Sequence, residues 1–260
     1  MRLGPDHPDT LLAKARLGVV YCQMRQLDKS VPLFEEILKW REAKHGRDHL
    51  EMLRAVANLG VNYRDAGRLK EAIPLLEEVH RATKNHRELG WATGQLLDAY
   101  VRAGEGDKAV ALLREQLGKA RKVLPKDSPQ LAGVLAQTGL VLLELKKWAE
   151  AEPIIHEALA IREKTQPGAW ATFNTQSMLG GALLGQKKYA DAEPLLLKGY
   201  EGMKAREKTI PPQASTRLPE ALDRLVELYT ATNRPDEAKK WRAERAKYPE
   251  AKKAAAPEKK

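Results

Sequence analysis

The sequence predicts an all-α fold, a solenoid of about six antiparallel helix pairs. Three observations carry the prediction: a composition rich in helix formers, columns of small and aromatic residues that return in phase, and Pro/Gly/Asp-rich segments between the returns. Of 260 residues, 43% are apolar but only 5% aromatic, with two Phe. A sandwich or barrel needs Val, Ile, Thr and aromatics in alternation, whereas the bias here to Ala, Leu, Glu and Lys favours helix.

A tyrosine or leucine column holds Tyr21, Tyr63, Tyr100, Leu142, Leu183 and Tyr229, at spacings of 42, 37, 42, 41 and 46 residues. Three residues earlier stand Gly18, Gly60, Leu97, Gly139, Gly180 and Val226. Nine residues later come Ser30, Ala72, Ala109, Ala151, Ala192 and Ala238; thirteen later, Phe34, Leu76, Leu113, Ile155, Leu196 and Arg242. The phases divide the chain into repeats at about 4–45, 46–85, 86–123, 124–165, 166–210 and 211–246, followed by a basic tail, 247–260, whose Lys/Ala/Glu composition predicts disorder.

Each repeat reads as two helices. The first carries apolar residues at helical spacing (Leu53, Val56, Leu59, Tyr63), and a polar turn such as Asp65 to Arg68 or Leu145 to Lys147 follows. The second has a stripe such as Ala72, Leu75, Leu76 and Val79. The glycine column predicts close helix approach, at the expense of helix propensity. Pro32, Pro74, Pro153 and Pro194 are expected near the first turn of the second helix, which places its starts near Asp28, Lys70, Glu150 and Asp191. Linkers are read at Gly4–Thr10, Gly46–His49, Leu124–Pro129, Gln166–Gly168 and Pro211-Pro212. The last repeat, with Arg242 and Arg245 at apolar or small phases, has the character of a terminal cap.

The Gly-x-x-Tyr and Ala columns resemble the tetratricopeptide repeat (TPR). The longer period, the Pro5-Asp-His-Pro-Asp-Thr10 linker and the string Ala151 to Arg162 resemble its kinesin-light-chain variant, over about residues 4–246. The stretch from Phe173 to Pro249 also resembles the repeat-bearing tails of some bacterial Ser/Thr protein kinases. The resemblance implies a right-handed superhelix whose first helices line a concave groove that receives a peptide or partner helix. The chain begins inside a linker without a capping helix, so an upstream segment is expected.

The net charge of +10 is spread thinly along the repeats, with +3 in the tail, as on a solvated helical surface rather than a phosphate-tracking stripe. An RNA-binding helical repeat is thus the weakest of the readings weighed. One cysteine, Cys22, excludes a disulfide framework and the usual thiolate zinc site. No signal peptide or membrane span is visible, and a cytoplasmic protein is expected.

The search for chemistry returns structural readings. His45 and His49 are four apart, but Gly46 and Asp48 put them in a linker like that of His7. His80 and His156 are expected to be partly buried packing residues. Glu35-Glu36 and Glu77-Glu78 recur at one phase, as solvated helix faces do. Gly180 to Lys187 lacks the Lys and Ser/Thr of a phosphate loop, and kinase, hydrolase-elbow and Cys–His signatures are absent.

No enzyme, cofactor or metal site is therefore predicted. The expected function is a non-catalytic interaction scaffold with a protein or peptide partner; the alternative is the regulatory C-terminal segment of a bacterial Ser/Thr kinase. Repeat phase marks Arg54, Asn58, Arg64, Asp65, Trp91, Gln95, Asp98, Arg102, Gln137, Glu144, Asn174, Glu220, Asp223 and Glu227 as groove-lining. Arg64 and Arg102, with Trp91 between them, are read as an anchor for an acidic or aromatic segment.

Overall fold

The computed structural model describes residues 4, 7–44 and 49–248. Its helices follow in pairs: α1 (Pro8–Gln23) with α2 (Leu27–Lys44), α3 (Leu50–Asp65) with α4 (Leu69–Ala82), and α5 (Trp91–Ala103) with α6 (Gly106–Val123). Then come α7 (Pro129–Glu144) with α8 (Trp148–Thr165), α9 (Trp170–Gly185) with α10 (Tyr189–Lys204), and α11 (Arg217–Ala231) with α12 (Pro235–Arg245). Three short 3-10 turns, Arg87–Leu89, Glu207–Thr209 and Pro212–Ala214, sit in the linkers. His45, the linker residues Gly46 to Asp48, and 249–260 of the expected tail lie outside the described residues.

The chain forms two compact units, one running to Ala109 and the other starting at Val110. In the first, α1 to α5 pack each on the next, and α3 also touches α5. In the second, α7 to α12 pack in the same succession, and α9 also touches α7 and α11. α9 is buried on nearly all faces from Asn174 to Leu184, because α7, α8, α10 and α11 surround it.

One device closes every pair. The residue four beyond the Tyr/Leu column has positive φ: Arg25 at 60°, Gly67 at 76°, Gly104 at 74°, Lys146 at 57°, Lys187 at 62° and Asn233 at 54°. The next N–H donates back to the column carbonyl in each case, from Gln26 to Tyr21 at 2.9 Å through Arg234 to Tyr229 at 2.9 Å. This six-to-one bond satisfies a carbonyl that the helix end would leave bare, and it fixes the reversal into the second helix.

The glycine column performs the predicted approach. A Cβ on Gly18 would lie 2.7 Å from the Phe34 ring, and one on Gly180 would lie 2.7 Å from Leu196 Cγ; Gly60 and Gly139 face Leu76 and Ile155 in the same way. Each glycine thus receives the residue sixteen later, on the second helix of its own pair. The small column from Ser30 to Ala238 is fully buried throughout.

Three expectations are corrected. The prolines stand at the sixth residue of α2, α4, α8 and α10, a turn deeper than predicted, although the helix starts fall within two residues of expectation. Each proline removes one bond to the carbonyl four residues back. All four prolines, and Asp28, Lys70, Ala149 and Ala190 that carry those carbonyls, are exposed, so water takes the place of the missing donor. His156 is exposed rather than partly buried. Finally, Glu35 and Glu77 are not merely solvated: both are half-buried tethers, accepting from Tyr63 and Tyr100 of the following repeat at 2.7 Å each. Tyr229 reaches back to Glu193 likewise, at 2.9 Å.

At the C-terminal end α12 buries only Ala238 and Trp241, while Arg242 and Arg245 bond to Thr230 and Asp223. Its outer face is polar, as the cap reading expects.

Candidate functional site

In the first unit, α3 and α5 bring Arg64, Asp65, Gln95, Asp98 and Arg102 into one polar network. Arg64 is only 9% exposed. Its guanidinium donates to Asp65 Oδ1 from Nε at 2.9 Å and Nη2 at 2.7 Å, reaches Gln95 through Nη1, and lies 3.3 Å from Asp98 Oδ2. Arg102 Nε pairs with the same Asp98 oxygen at 2.9 Å. A guanidinium this shielded needs such partners, because an unpaired buried charge is strongly destabilising.

The consequence for recognition is a shift of emphasis. Two arginines and two aspartates balance, so the surface is a bidentate polar platform rather than a positive patch. Arg64 is its strut, and exposed Arg102 is its accessible cation. Trp91 opens α5 with 46% of its surface in solvent, a large apolar face unusual outside a contact surface. Arg54 is exposed and pairs with Glu51 at 2.8 Å; Asn58 is half-buried, and its carbonyl accepts from Asn62 at 2.8 Å. Cys22 Sγ lies 3.9 Å from Asp65 Oδ2, and burial, reinforced by that carboxylate, raises its pKa and holds it as a thiol.

In the second unit, α7, α9 and α11 enclose a cleft of about 330 Å³. Leu140, Leu143, Leu184 and Trp148 form its apolar walls, and Glu144, Glu220 and Glu227 its polar rim. Arg224 enters it over Gly181, where a Cβ would stand 2.9 Å from the arginine Cδ. Its Nη1 donates to Ser177 Oγ at 3.1 Å, and burial lowers its pKa, with Glu220 the chief compensating charge. Asn174 is buried on α9, with its Oδ1 unpartnered. Gln137 and Asp223 are exposed, and Asp223 pairs with Arg245 at 2.7 Å.

Arg224 and Trp148 were absent from the sequence prediction. The signal for Arg224 was present: it stands five before the column, the phase of Asn58, Gln95 and Gln137. Trp148 belongs to the second helix, and only packing brings it round to this side.

Other chemistry stays structural. His7 and His49 cap α1 and α3 by accepting from the N–H of Asp9 and Glu51 at 3.2 and 3.3 Å. His80 Nδ1 is half-buried against Thr93 Oγ1 at 2.9 Å. Among the described residues, no group of three or more His, Cys, Asp or Glu is placed to hold a metal, and no helix is long and apolar enough to cross a membrane.

Paired helices, a recurring closing turn and first helices set side by side define an α-helical repeat protein of the interaction-scaffold class. A tetratricopeptide-repeat family profile matches residues 9–85 and 130–205, more than half of the chain, and the protein belongs to that family. Among solved structures, the kinesin-light-chain TPR-like repeats of Podosopora anserina share 22% identity at a TM-score of 0.66, over 77% of this chain and 98% of that one. BtubC (BKLC) from P. vanneervenii shares 16% at 0.58, over 88% and 96%. The apo form of RapI shares 11% at 0.61, over 91% and 96%. These likenesses show the fold. A search of curated proteins finds no match.

Proposed function

We propose that the chain is a non-catalytic scaffold whose first helices hold an extended peptide or a partner helix. Two observations, one in each unit, support this reading. In the first unit Trp91 lies exposed on α5, the helix that carries Asp98 and Arg102 of the platform; in the second unit the α7/α9/α11 cleft offers apolar walls with a polar rim. Aromatic and arginine anchors of this kind contribute disproportionately to binding. The reading places the protein in a reducing cytoplasm, where Cys22 stays reduced.

The test is selection of peptides from a displayed library on the immobilised chain, followed by affinity measurement by calorimetry. Trp91→Ala with Arg102→Glu should weaken selected ligands at least tenfold, the loss of one anchor worth about 1.4 kcal/mol. Lys240→Glu on α12 should change nothing. Arg64→Glu is unsuitable, because it would collapse the buried network. Ligands that bind the double variant as tightly as the parent would refute the groove assignment.

A further inference from the structure

The cleft of the second unit combines apolar walls with an unbalanced charge. Its α9 side brings no charged group: Gly181, Leu184 and Gly185 line it. Gly185 leaves no room for a side chain against the Trp148 indole, and Gly181 none against Arg224, so a ring from α8 and a guanidinium from α11 settle on the same helix. Glu220, Arg224 and Glu227, spaced four and three residues apart, share the face of α11 that lines the cleft. α7 adds Glu144 next to Leu140 and Leu143.

The guanidinium in this lining is already engaged. Arg224 Nη1 donates to Ser177 Oγ at 3.1 Å, and Nη2 lies 3.8 Å from Glu220 Oε2. Glu220 also accepts from Arg217 Nη1, at 2.7 and 3.0 Å. Even with Arg217 included, three carboxylates face two guanidinium groups. Glu227 stands exposed on the rim; it acts on Arg224 only through space, and no ion pair reaches it among the described residues.

Building on the scaffold reading above, we propose that this cleft takes an arginine side chain of the bound peptide. Its guanidinium pairs with Glu227, Glu144 adds to the negative field from α7, and its alkyl stem lies on Leu140, Leu143 and Trp148. At about 330 Å³ the cleft is at the small end of ligand sites, suited to one long side chain rather than a whole helix. Apolar walls under a carboxylate rim match a side chain with an apolar stem and a charged head. The indole and the carboxylate favour arginine over lysine, because a planar, weakly hydrated cation stacks on a ring and bonds a carboxylate at two points. An acidic side chain would meet three carboxylates and find Arg224 engaged. The chain as a whole carries +10 and repels basic peptides at long range, so a preference for arginine would have to arise locally.

The displayed-library selection on the immobilised chain is the test, with the enriched sequences read for charge. Selected peptides should share an arginine at one position, and replacing it by glutamate should weaken calorimetric affinity at least tenfold, with lysine between the two. Glu227→Lys should weaken the arginine peptides by a similar factor and restore binding of their glutamate versions. Its circular-dichroism spectrum should match the parent, since Glu227 is exposed. Glu201→Lys makes the same change of net charge at an exposed position on α10, outside the cleft, and should leave affinity unchanged. Selected peptides without arginine, or arginine peptides that bind Glu227→Lys as tightly as the parent, would overturn this assignment and leave the scaffold reading standing. A chain that selects no peptide would overturn both.

Discussion

Gly199→Ala probes a close approach of one helix to the backbone of another in the second unit. A Cβ on Gly199 would stand 2.6 Å from the backbone nitrogen of Ser177 and 2.8 Å from the backbone oxygen of Phe173. Ordinary contact begins near 3.4 Å, so α10 must withdraw from α9 by roughly 0.8 Å, and neither atom belongs to a side chain that can rotate away. Overpacking of this kind destabilises by about 1–3 kcal/mol, against a gain of about 1 kcal/mol from replacing glycine in a helix. Retreat also loosens the contacts of Tyr200 and Met203, both buried on α10, so the upper part of the range applies. The expected net loss is about 2 kcal/mol, a fall in Tm of roughly 4–8 °C for a chain of this size. Gly133→Ala is the matched control: it lies within α7, and a Cβ there meets nothing within 4 Å. It should stabilise by about 0.5–1 kcal/mol. Thermal and urea unfolding followed by circular dichroism distinguish the two. A Gly199→Ala chain as stable as the parent, or a destabilised Gly133→Ala, would refute the packing argument.

The closing turns, tethers and ion pairs give further expectations. Gly67 has φ of 76° with open space around it, so Gly67→Ala should lose about 1 kcal/mol in urea unfolding, the opposite sign to Gly133→Ala. Tyr100→Phe removes a 2.7 Å bond to Glu77 and should lower stability by about 1 kcal/mol at neutral pH. Burial and then the Glu77 bond raise the Tyr100 pKa, so its contribution is intact below the unfolded value near 10 and fades as pH climbs through the folded one. Alkaline unfolding curves of parent and Tyr100→Phe should therefore converge. Bonds from Lys188 and Gln186 lower the Glu152 pKa, so its contribution is present above about pH 4.3 and is lost as pH falls through the folded value. Glu152→Gln should flatten that acid limb of the stability profile; an unchanged limb would show the pair to be inert.

The repeat architecture could be read from the chain because repetition writes the same physical demand six times. A glycine in one helix is ambiguous, but Gly18, Gly60, Gly139 and Gly180 in phase with Phe34, Leu76, Ile155 and Leu196 specify a crossing. The linkers from Leu124 and Gln166 were legible for a like reason, since Pro, Gly and Asp restrict or free the backbone locally, whereas Pro8 to Thr10, read as linker, form the first turn of α1. The closing turn was only half visible: Gly67 and Gly104 are natural left-handed residues, whereas Arg25, Lys146 and Lys187 carry no such mark, and the hydrogen bond to the column carbonyl holds them there. Proline depth escaped too, because tolerance at the sixth position depends on whether the bared carbonyl meets water, which is a property of packing.

The candidate surface divides along the same line. Phase assigned Asp65, Gln95, Asp98 and Arg102 to one side because helical periodicity is local. Which of them face solvent and which neutralise each other was decided in space. Arg64 reads in sequence as a cation for a ligand, and it is spent on Asp65, its neighbour on α3, and on Asp98, which α5 brings within 3.3 Å. Arg224 and Trp148 meet in one cleft only because α7, α8, α9 and α11 pack together. Local patterns dictate helix, turn and phase, since each depends on a few adjacent residues. Burial and charge pairing depend on distant segments meeting, and those the tertiary structure alone decides.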